Sequence, residues 1–373
     1  MRFTIALRFT LVMTTCFQTM SVAAALPGDT VSWLRPDNTT FLSRAQRKAL
    51  DMVKEVNNVD TNYIEPQQFN FTVMLQNTNT YEVYRLSTAE GQSVTFSPDM
   101  SMRLGPYFGW RWAFLGYTVD VKAHQGDHKK KEYDLSLYSS KIGVDLYYRE
   151  TGNDYKIRRV NLGKDIDTSP IEGMPFGGLS SSIKGFNLYY ILNHRRFSYP
   201  AAFSQSTKQL RSAGSPLVGI GYTRHKLSLN CTELNNAIFE RMPELKPETE
   251  IDSSFWFGTV KYTDISLSGG YAYNWVFARN WLMATSLSLA VAYKRSTGDV
   301  EKTRLSLRDF SFNNVNVDGI GRFGIVWNNS RWYAGMSAIL HAYNYHKSRF
   351  YTNNFFGSIN FYVGYNFIRR KKK

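Results

Sequence analysis

Two segments decide the fold: DISLSGGYAYNW (264–275) and MATSLSLAVAY (283–293), separated by a short break at residues 278–280. In both segments, large apolar or aromatic side chains alternate with small or hydroxylic ones. A period of two places the two sets on opposite faces of a β-strand. A small, weakly polar face opposite an aromatic face is typical of a narrow barrel interior with lipid outside. We therefore predict an all-β protein, a transmembrane antiparallel β-barrel.

The composition agrees with this interpretation. Aromatic residues make up 15% of the 373 residues, and Tyr and Trp favour membrane interfaces because one end of the ring is apolar and the other is polar. An aromatic-rich extracellular sandwich is the alternative. It accounts less well for the strand lengths and for the small, weakly polar second face.

The N-terminal 25 residues resemble a secretory signal peptide. Arg2 and Arg8 precede an apolar stretch, and small residues at 23–25 offer a cleavage site near Ala25. Cys16 is an alternative lipoprotein acceptor, but residues 13–15 before it fit that pattern poorly. Cleavage near Ala25 would leave Cys231 as the one cysteine, so an internal disulfide is not expected.

The remaining chain divides into three parts. Residues 26–66 are interpreted as a periplasmic N-terminal segment, in which a capping-box pattern and helical spacing predict a short amphipathic helix over residues 43–56. Residues 67–368 are interpreted as the barrel and 369–373 as a basic tail. No segment has the ~18–20 continuous apolar residues that a membrane helix needs.

We count about twelve strands, an even number as expected for a single-chain bacterial barrel. With both termini in the periplasm, four short turns are expected on the periplasmic side; they lie at Gly105, Thr151, Ala278 and Asn328. Four long loops are expected outside; they lie near Lys130, Gly173, Pro243 and Asp309. Residues 230–253 are interpreted as one of these loops, and a phase shift at residues 139–140 as a β-bulge.

One segment does not fit this assignment of connections to the two sides. Residues 193–215 are long and polar, yet the strand count places them on the periplasmic side. Either the segment folds inward as a plug, or the strands near it are miscounted.

Four stretches are similar to a known family: TNYIEP (61–66), GPYFGWRW (105–112), YDLSLYSS (133–140) and NHRRFSYP (193–200). Together they resemble an uncharacterised family of Gram-negative outer-membrane barrels, catalogued only as a domain of unknown function. The resemblance runs from residue 61 to the C-terminus. It implies a barrel in the bacterial outer membrane and brings no activity, cofactor or catalytic residue.

The charge suggests which partners to expect. The formal net charge is +15, and removing Arg2 and Arg8 with the signal peptide leaves +13. Export makes nucleic acid an unsuitable partner, so we expect the basic loops to neutralise outer-membrane lipid and lipopolysaccharide. The last strand ends in the aromatic Phe367, the pattern that the barrel-assembly machinery reads during biogenesis. We expect a monomer.

Strand alternation places seven titratable residues on the inner face; they are Asp120, Asp134, Lys141, Asp145, Asp264, Arg322 and His341. A Lys or Arg on the lipid face would cost about 2–4 kcal/mol at mid-membrane, which favours the inward assignment. Such charges either form a paired network that fills the lumen or line a polar pathway that selects permeants.

An enzyme is not expected. Some twelve-stranded outer-membrane barrels are phospholipases with a Ser and a His on the lipid-facing surface, and the closest match here is HKLSLN (225–230). Its spacing differs, and alternation would put His225 and Ser228 on opposite faces, where they could not share a proton easily. No metal or cofactor is expected, because one mature Cys and six scattered His form no ligand set, and the carboxylates of residues 243–252 fit a solvated loop better than a calcium site.

Three functions therefore remain open. The first is a porin-like protein, a small or gated pore for polar solutes. The second is a structural or interaction barrel with a plugged lumen that binds lipopolysaccharide or a surface partner. The third is a lipid-directed enzyme.

Overall fold

The computed structural model describes residues 59–110, 113–116, 119–121, 131–163, 166–243, 252–256, 258–298, 315–346 and 350–370. The expected signal peptide, the helix expected over residues 43–56 and the loops near Lys130 and Asp309 lie outside these residues. Residues from Asp60 onward form one compact unit, which is the barrel described below.

Eighteen strands and two α-helices are found in the described residues. The strands are β1 (Ile64–Pro66), β2 (Phe69–Thr88), β3 (Ser93–Pro98), β4 (Ser101–Trp110), β5 (Ala113–Gly116), β6 (Val119–Asp120), β7 (Lys131–Tyr138), β8 (Ile142–Thr151), β9 (Tyr155–Asn161), β10 (Pro175–Phe176), β11 (Leu179–Ile191), β12 (Thr207–Gln209), β13 (Ala213–Leu229), β14 (Thr259–Ala278), β15 (Trp281–Gly298), β16 (Val315–Asn328), β17 (Trp332–His346) and β18 (Phe350–Arg369). The helices are α1 (Pro200–Phe203) and α2 (Cys231–Arg241), with 3-10 turns at Ser169–Ile171 and Ser253–Phe255. None of these helices is long and apolar enough to cross a membrane.

Twelve strands form the wall when β5 and β6 are counted as one interrupted strand; they are β2, β4, β5 with β6, β7, β8, β11 and β13 to β18. All of their pairings are antiparallel, and β18 pairs with β2 from Arg369 to Phe350, which joins the C-terminal strand to the N-terminal one. The edge strand β7 contacts β2 at the other end of the strand order, because Thr80 Oγ1 of β2 donates to Glu132 Oε2 of β7 at 3.0 Å. The predicted fold class and strand number are confirmed.

The hairpin that decided the fold is β14 and β15. Its large side chains face outward, and Leu267 and Leu289 are 63% and 57% exposed. Its small side chains face inward, where Ala272 and Ala284 are buried. The hairpin turns at residues 279–280, and Asn280 has a φ of 70°, a conformation that Asn tolerates well. The alternation therefore places lipid outside and a narrow interior inside, as predicted.

Two glycines of the wall make room for tyrosine rings on the neighbouring strands. A Cβ at Gly143 would lie 2.1 Å from the Tyr189 ring, and one at Gly364 would lie 2.1 Å from the Tyr333 ring. Any larger residue at these positions would displace the ring. The rings can therefore lie flat against the inner wall, which keeps the interior densely packed.

Three turn predictions are wrong. Gly105 lies inside β4, and the chain reverses after Trp110, which pairs with Ala113. Residues 139–140 form the turn between β7 and β8, where Ser139 N donates to Ile142 O at 2.8 Å. A phase shift in alternation arises equally from a bulge and from two strands that meet at a tight turn, so the pattern alone did not separate them.

The third error concerns the side on which a turn lies. Thr151 is paired with Ser181, and Ser181 with Leu227, at the end of the barrel that carries the long connections. The strand after it, β9, leaves the wall and pairs with β3 and β10 instead. Because β7 and β8 are two strands where one was predicted, β8 runs in the opposite direction to the prediction. The Thr151 turn at the end of β8 therefore lies at the opposite end of the barrel.

Residues 231–241 form α2 instead of an extended loop. Asn230 caps this helix by accepting a hydrogen bond from Glu233 N at 3.2 Å, and its amide donates to the Glu233 carboxylate at 3.3 Å. This is the Asn-x-x-Glu form of a helix start. The signal is present in the sequence, and two prolines and several carboxylates downstream obscured it.

Candidate functional site: the lumen

The segment 193–215 folds into the barrel at the end that carries the short turns, and we refer to it as the plug. Its helix α1 packs Ala201 and Ala202 in one cluster with Leu282 and Val326 of the wall. Tyr199 at the start of α1 lies within the barrel, with its hydroxyl 2.5 Å from Ser286 Oγ. The segment folds inward as a plug, and the second alternative also holds in part, because β7 and β8 are two strands where one was predicted.

Side-chain amides hold the plug to the wall. Asn274 Nδ2 of β14 donates to Ser198 O at 2.8 Å and to Gln209 Oε1 at 3.0 Å. Gln209 Nε2 donates in turn to Arg196 O at 2.6 Å. The small inner residues of β14 and β15 leave the space that the plug fills, which accounts for the small face seen in the sequence.

Above the plug, an ion pair crosses the lumen. Arg322 of β16 is in close contact with Asp145 of β8, and Ser136 Oγ donates to the same carboxylate at 2.7 Å. In the sheet, β11, β13, β14 and β15 lie between β8 and β16, so the two residues come from opposite walls. The Arg322 guanidinium also lies over the Tyr189 ring, 4.9 Å from its centroid.

A tyrosine pair makes a second bridge. The hydroxyl of Tyr147 on β8 lies 2.7 Å from that of Tyr343 on β17 and 2.6 Å from Thr223 Oγ1 on β13. His341 packs beside this bridge, stacked on Phe356 with ring centroids 4.8 Å apart. We refer to the Asp145–Arg322 and Tyr147–Tyr343 contacts together as the cross-wall contacts.

A buried lysine lies on the inner face of β15. Lys294 Nζ is 2.7 Å from Asp318 Oδ1 and 3.6 Å from Asp264 Oδ2, and its side chain is 0% exposed. His225 lies nearby, stacked on Tyr262 at 4.4 Å. A fully buried cation is tolerated only when it is paired, and here two carboxylates share it.

An apolar core closes the lumen at the end that carries the long connections. We refer to β3, β9, β10, α2 and the turn Ser253–Phe255 as the cap. The cap buries Phe96, stacked on Phe176 at 5.3 Å, together with Leu234 and Ile238 of α2. Opposite walls meet here too, because Thr151, Ser181 and Tyr155 all donate to the Glu82 carboxylate, at 2.9 to 3.2 Å.

Four of the seven predicted inner residues lie buried on the inner face of wall strands: Asp145, Asp264, Arg322 and His341. Only Asp145 and Arg322 of these contact each other directly.

The other three predicted residues differ in strand or exposure, although Asp134 lies on the same face of β7 as Ser136, directly opposite Tyr147. Asp134 lies on the edge strand β7 with 39% of its side chain exposed, and pairs with Arg149 at 2.7 Å. Lys141 is buried in the turn between β7 and β8, not in a strand. Asp120 is in β6, paired with Arg103, and its side chain lies outside the described residues.

Sequence reasoning missed several charges of the network, namely Glu82, Glu132, Arg149, Lys294 and Asp318. The alternation itself could have found them. Lys294 continues the inward set of residues 284, 286, 288, 290 and 292, and Arg149 continues the inward set that includes Asp145. The predicted strands end too early, because the small or apolar pattern stops before the strands do.

The cluster tested for phospholipase chemistry is divided between the two faces. His225 is buried inside, and Ser228 is turned outward, with its hydroxyl 3.0 Å from Thr259 Oγ1. The predicted separation is confirmed. Within the described residues, no group of three His, Cys, Asp or Glu side chains is placed to hold a metal ion.

An antiparallel barrel with an apolar outer face and a filled polar interior is a β-barrel membrane protein. Residues 58–367 match the family described as Domain of unknown function (DUF4421), and the chain belongs to it. The predicted membership of an uncharacterised family is therefore confirmed. No curated protein matches the chain in sequence.

Several solved outer-membrane barrels are similar in structure at low sequence identity. The outer membrane protease OmpT from Escherichia coli has 8% identity and a TM-score of 0.32, over 84% of this chain and 100% of that one. The translocator domain of the autotransporter NalP from Neisseria meningitidis has 9% identity and a TM-score of 0.30, over 90% and 100%. The outer membrane protein OprG from Pseudomonas aeruginosa has 10% identity and a TM-score of 0.23, over 81% and 98%.

Proposed function

We propose that the protein is a barrel of the bacterial outer membrane with a closed lumen, which acts as a structural or interaction protein through its outer surfaces. The cross-wall contacts carry this proposal. Tyr147 and Tyr343 hydrogen-bond at 2.7 Å from opposite walls, and Arg322 and Asp145 pair across the same space. A conducting path needs continuous water at this level, and these side chains occupy it.

The proposed location rests on the aromatic residues of the outer face and on the lengths of the connections at the two ends of the barrel. Large aromatics cluster outward at the end with the short turns, including Trp275, Trp281 and Trp332. Single-chain barrels carry such a girdle at the membrane interface and have short turns on the periplasmic side. We place the termini and the plug in the periplasm and the cap outside, with delivery through the signal peptide and the barrel-assembly machinery.

The energetics oppose spontaneous opening. Removing one member of a buried ion pair costs about 3–5 kcal/mol, because the other charge is left uncompensated. Opening the lumen at Asp145 and Arg322 would separate both charges and the tyrosine bridge above them.

Liposome swelling in isosmotic pentose tests the proposal. The full refolded protein should swell liposomes no faster than protein-free controls. Tyr147→Ala with Tyr343→Ala should not raise the rate either, because the plug, the cap and the Asp145–Arg322 pair still close the lumen. Tyr222→Ala with Tyr271→Ala, two tyrosines on the outer face, is the matched control and should leave the rate unchanged. Rapid swelling by the unaltered protein would overturn the proposal.

A gated pore is the second candidate, and one observation favours it. Buried polar atoms of the interior, at His225 and Asn354, have no hydrogen-bond partner among the described residues. Such atoms favour a lumen that admits water. If a gated state conducts, Asp134→Asn, Lys141→Met or Arg322→Gln should change its ion selectivity; unchanged selectivity in all three would exclude these residues from the path.

Lipid-directed catalysis remains the least supported candidate, because His225 and Ser228 lie on opposite faces. Loss of lipid turnover on changing either residue would support it. We expect no turnover in the unaltered protein.

A further inference from the structure

The outer face of the barrel carries a basic patch at the end with the long connections. Four exposed cations form it: Lys184 of β11, Arg224 and Lys226 of β13, and Lys261 of β14. Lys184 is directly opposite Arg224, and Lys226 is directly opposite Lys261. Directly opposed residues on neighbouring strands have Cβ atoms about 4.5–5.5 Å apart.

Like charges directly opposed on a sheet are destabilising unless an anion compensates them. Among the described residues, no ion pair involves any of the four cations. Glu150 of β8 borders the patch on this face; it accepts from Tyr148 at 2.8 Å, lies 3.5 Å from Lys131 and also interacts electrostatically with Lys226, so it offsets only part of the positive charge. The arrangement thus holds several positive charges together, and one anion with several oxygens would compensate them.

Immediately toward the membrane, the same strands turn apolar. The next outward row places Phe186, Tyr222 and Ile265 side by side, and the row after it places Leu188, Ile220 and Leu267. Phe186 and Tyr222 are stacked with centroids 6.1 Å apart. A ligand that bridges both surfaces must combine an anionic head with acyl chains.

The depth fits the outer leaflet. On β14, the outward residues are apolar or aromatic, apart from Gly269, from Ile265 to Phe277, a run of 13 residues. At about 3.3 Å per residue and a tilt of about 40°, this run spans roughly 30 Å, close to the apolar band of a membrane barrel. Lys261 and Arg224 then lie just outside the band, at the level of headgroup phosphates.

We propose that this basic patch is a binding site for a phosphorylated glycolipid of the outer leaflet, of the lipid A type. The phosphate would be held by charge-assisted hydrogen bonds from Arg224 and the three lysines, and the acyl chains would lie on the Phe186 and Ile220 rows. This site uses the barrel wall, in contrast to the basic loops. It rests on the orientation proposed above and is independent of whether the lumen is closed.

Native mass spectrometry of the full refolded protein with added lipid tests the site. Diphosphorylated lipid A should bind about tenfold or more tightly than dephosphorylated lipid A. Arg224→Gln with Lys261→Gln should weaken the binding of diphosphorylated lipid A by about tenfold or more. The matched control is Lys156→Gln with Arg158→Gln, which removes one Lys and one Arg on the same end of the barrel, where both pair with Asp99. This control should bind as the unaltered protein does.

Three results would overturn the proposal: no binding of diphosphorylated lipid A, equal loss in the patch variant and the control, or equally tight binding of glucosamine 1-phosphate, which has no acyl chains. The last result would identify a simple phosphate site. Heat-modifiable gel mobility verifies that each variant is folded. Lipid binding and conductance are separate measurements. Absence of lipid A binding would therefore not bear on the proposal of a closed lumen, and conductance would not bear on the lipid site.

Discussion

The two ends of the lumen are closed by different chemistry. The cap closes the end with the long connections through an apolar core that includes Phe96, Phe176 and Leu234. The plug closes the end with the short turns through small apolar contacts and a set of amide and hydroxyl hydrogen bonds, centred on Asn274 and Gln209. The cap is built like the core of a soluble domain, and the plug is built like a docked loop.

This difference has an energetic consequence. Burying a large apolar side chain stabilises by about 1.5–3 kcal/mol, and the cap buries many of them. A typical hydrogen bond contributes only about 0.5–1.5 kcal/mol net, because the groups can bond to water instead. If one end of the lumen moves under physiological conditions, it should be the plug.

Truncation in the cap should have the largest effect. Phe96 is fully buried and stacked on Phe176. Phe96→Ala should lower the free energy of unfolding by about 3–5 kcal/mol, measured by urea unfolding in micelles. Phe108→Ala, at a residue 48% exposed on the lipid face, is the control and should cost clearly less. Equal losses would mean that the cap is not a packed core.

Loosening the plug should have a smaller and more local effect. Asn274→Ala removes the donor to Ser198 O and to Gln209 Oε1, and should cost about 1–3 kcal/mol. Hydrogen exchange should become faster for the amides of the plug and stay slow in the cap. Asn366→Ala, which removes a bond to Ser330 O at a turn, is the matched control. Faster exchange in the cap would contradict the separation of the two closures.

A single hydroxyl of the plug gives a finer test. Tyr199→Phe removes the contact with Ser286 and should cost about 0.5–1.5 kcal/mol in unfolding free energy. Ser286→Ala should cost a similar amount, and the double variant should add little to either change. Full additivity would show that the two hydroxyls do not interact.

The smallest expected effect concerns the one cysteine of the cap. Burial raises the pKa of the Cys231 thiol to about 11, so at pH 8 only about one thiol in a thousand is ionised. Alkylation of the folded mature protein by iodoacetamide at pH 8 should therefore be slow, and should become fast in denaturant. Rapid labelling of the folded protein would mean that α2 does not pack as described.

The sequence predicted the wall well because alternation reports directly on which face meets lipid. It identified the β14–β15 hairpin, the strand number and the inward side of Asp145 and Arg322. It could not predict which wall residues meet across the lumen, since alternation gives the face and not the partner on the opposite wall. Asp145 thus pairs with Arg322, while Asp264 faces Lys294, a residue that sequence reasoning had left out.

The cap was the least predictable region. Strand β3 alternates like a wall strand, with Val94 and Phe96 buried on one face, so its departure toward the cap leaves no mark in the local pattern. The plug was easier to suspect, because residues 193–215 are too long and polar for a periplasmic turn. The segment that is too long for a periplasmic turn is thus the segment that folds into the lumen.

The most direct test of the closed lumen is single-channel recording in planar bilayers under a salt gradient. The mature protein should remain silent, and a variant with residues 194–213 replaced by a short Gly-Ser turn should also remain silent, because the cross-wall contacts and the cap are still in place. Current only in the variant lacking the plug would locate closure in the plug and favour the gated pore. Steady open steps in the unaltered protein would contradict the account.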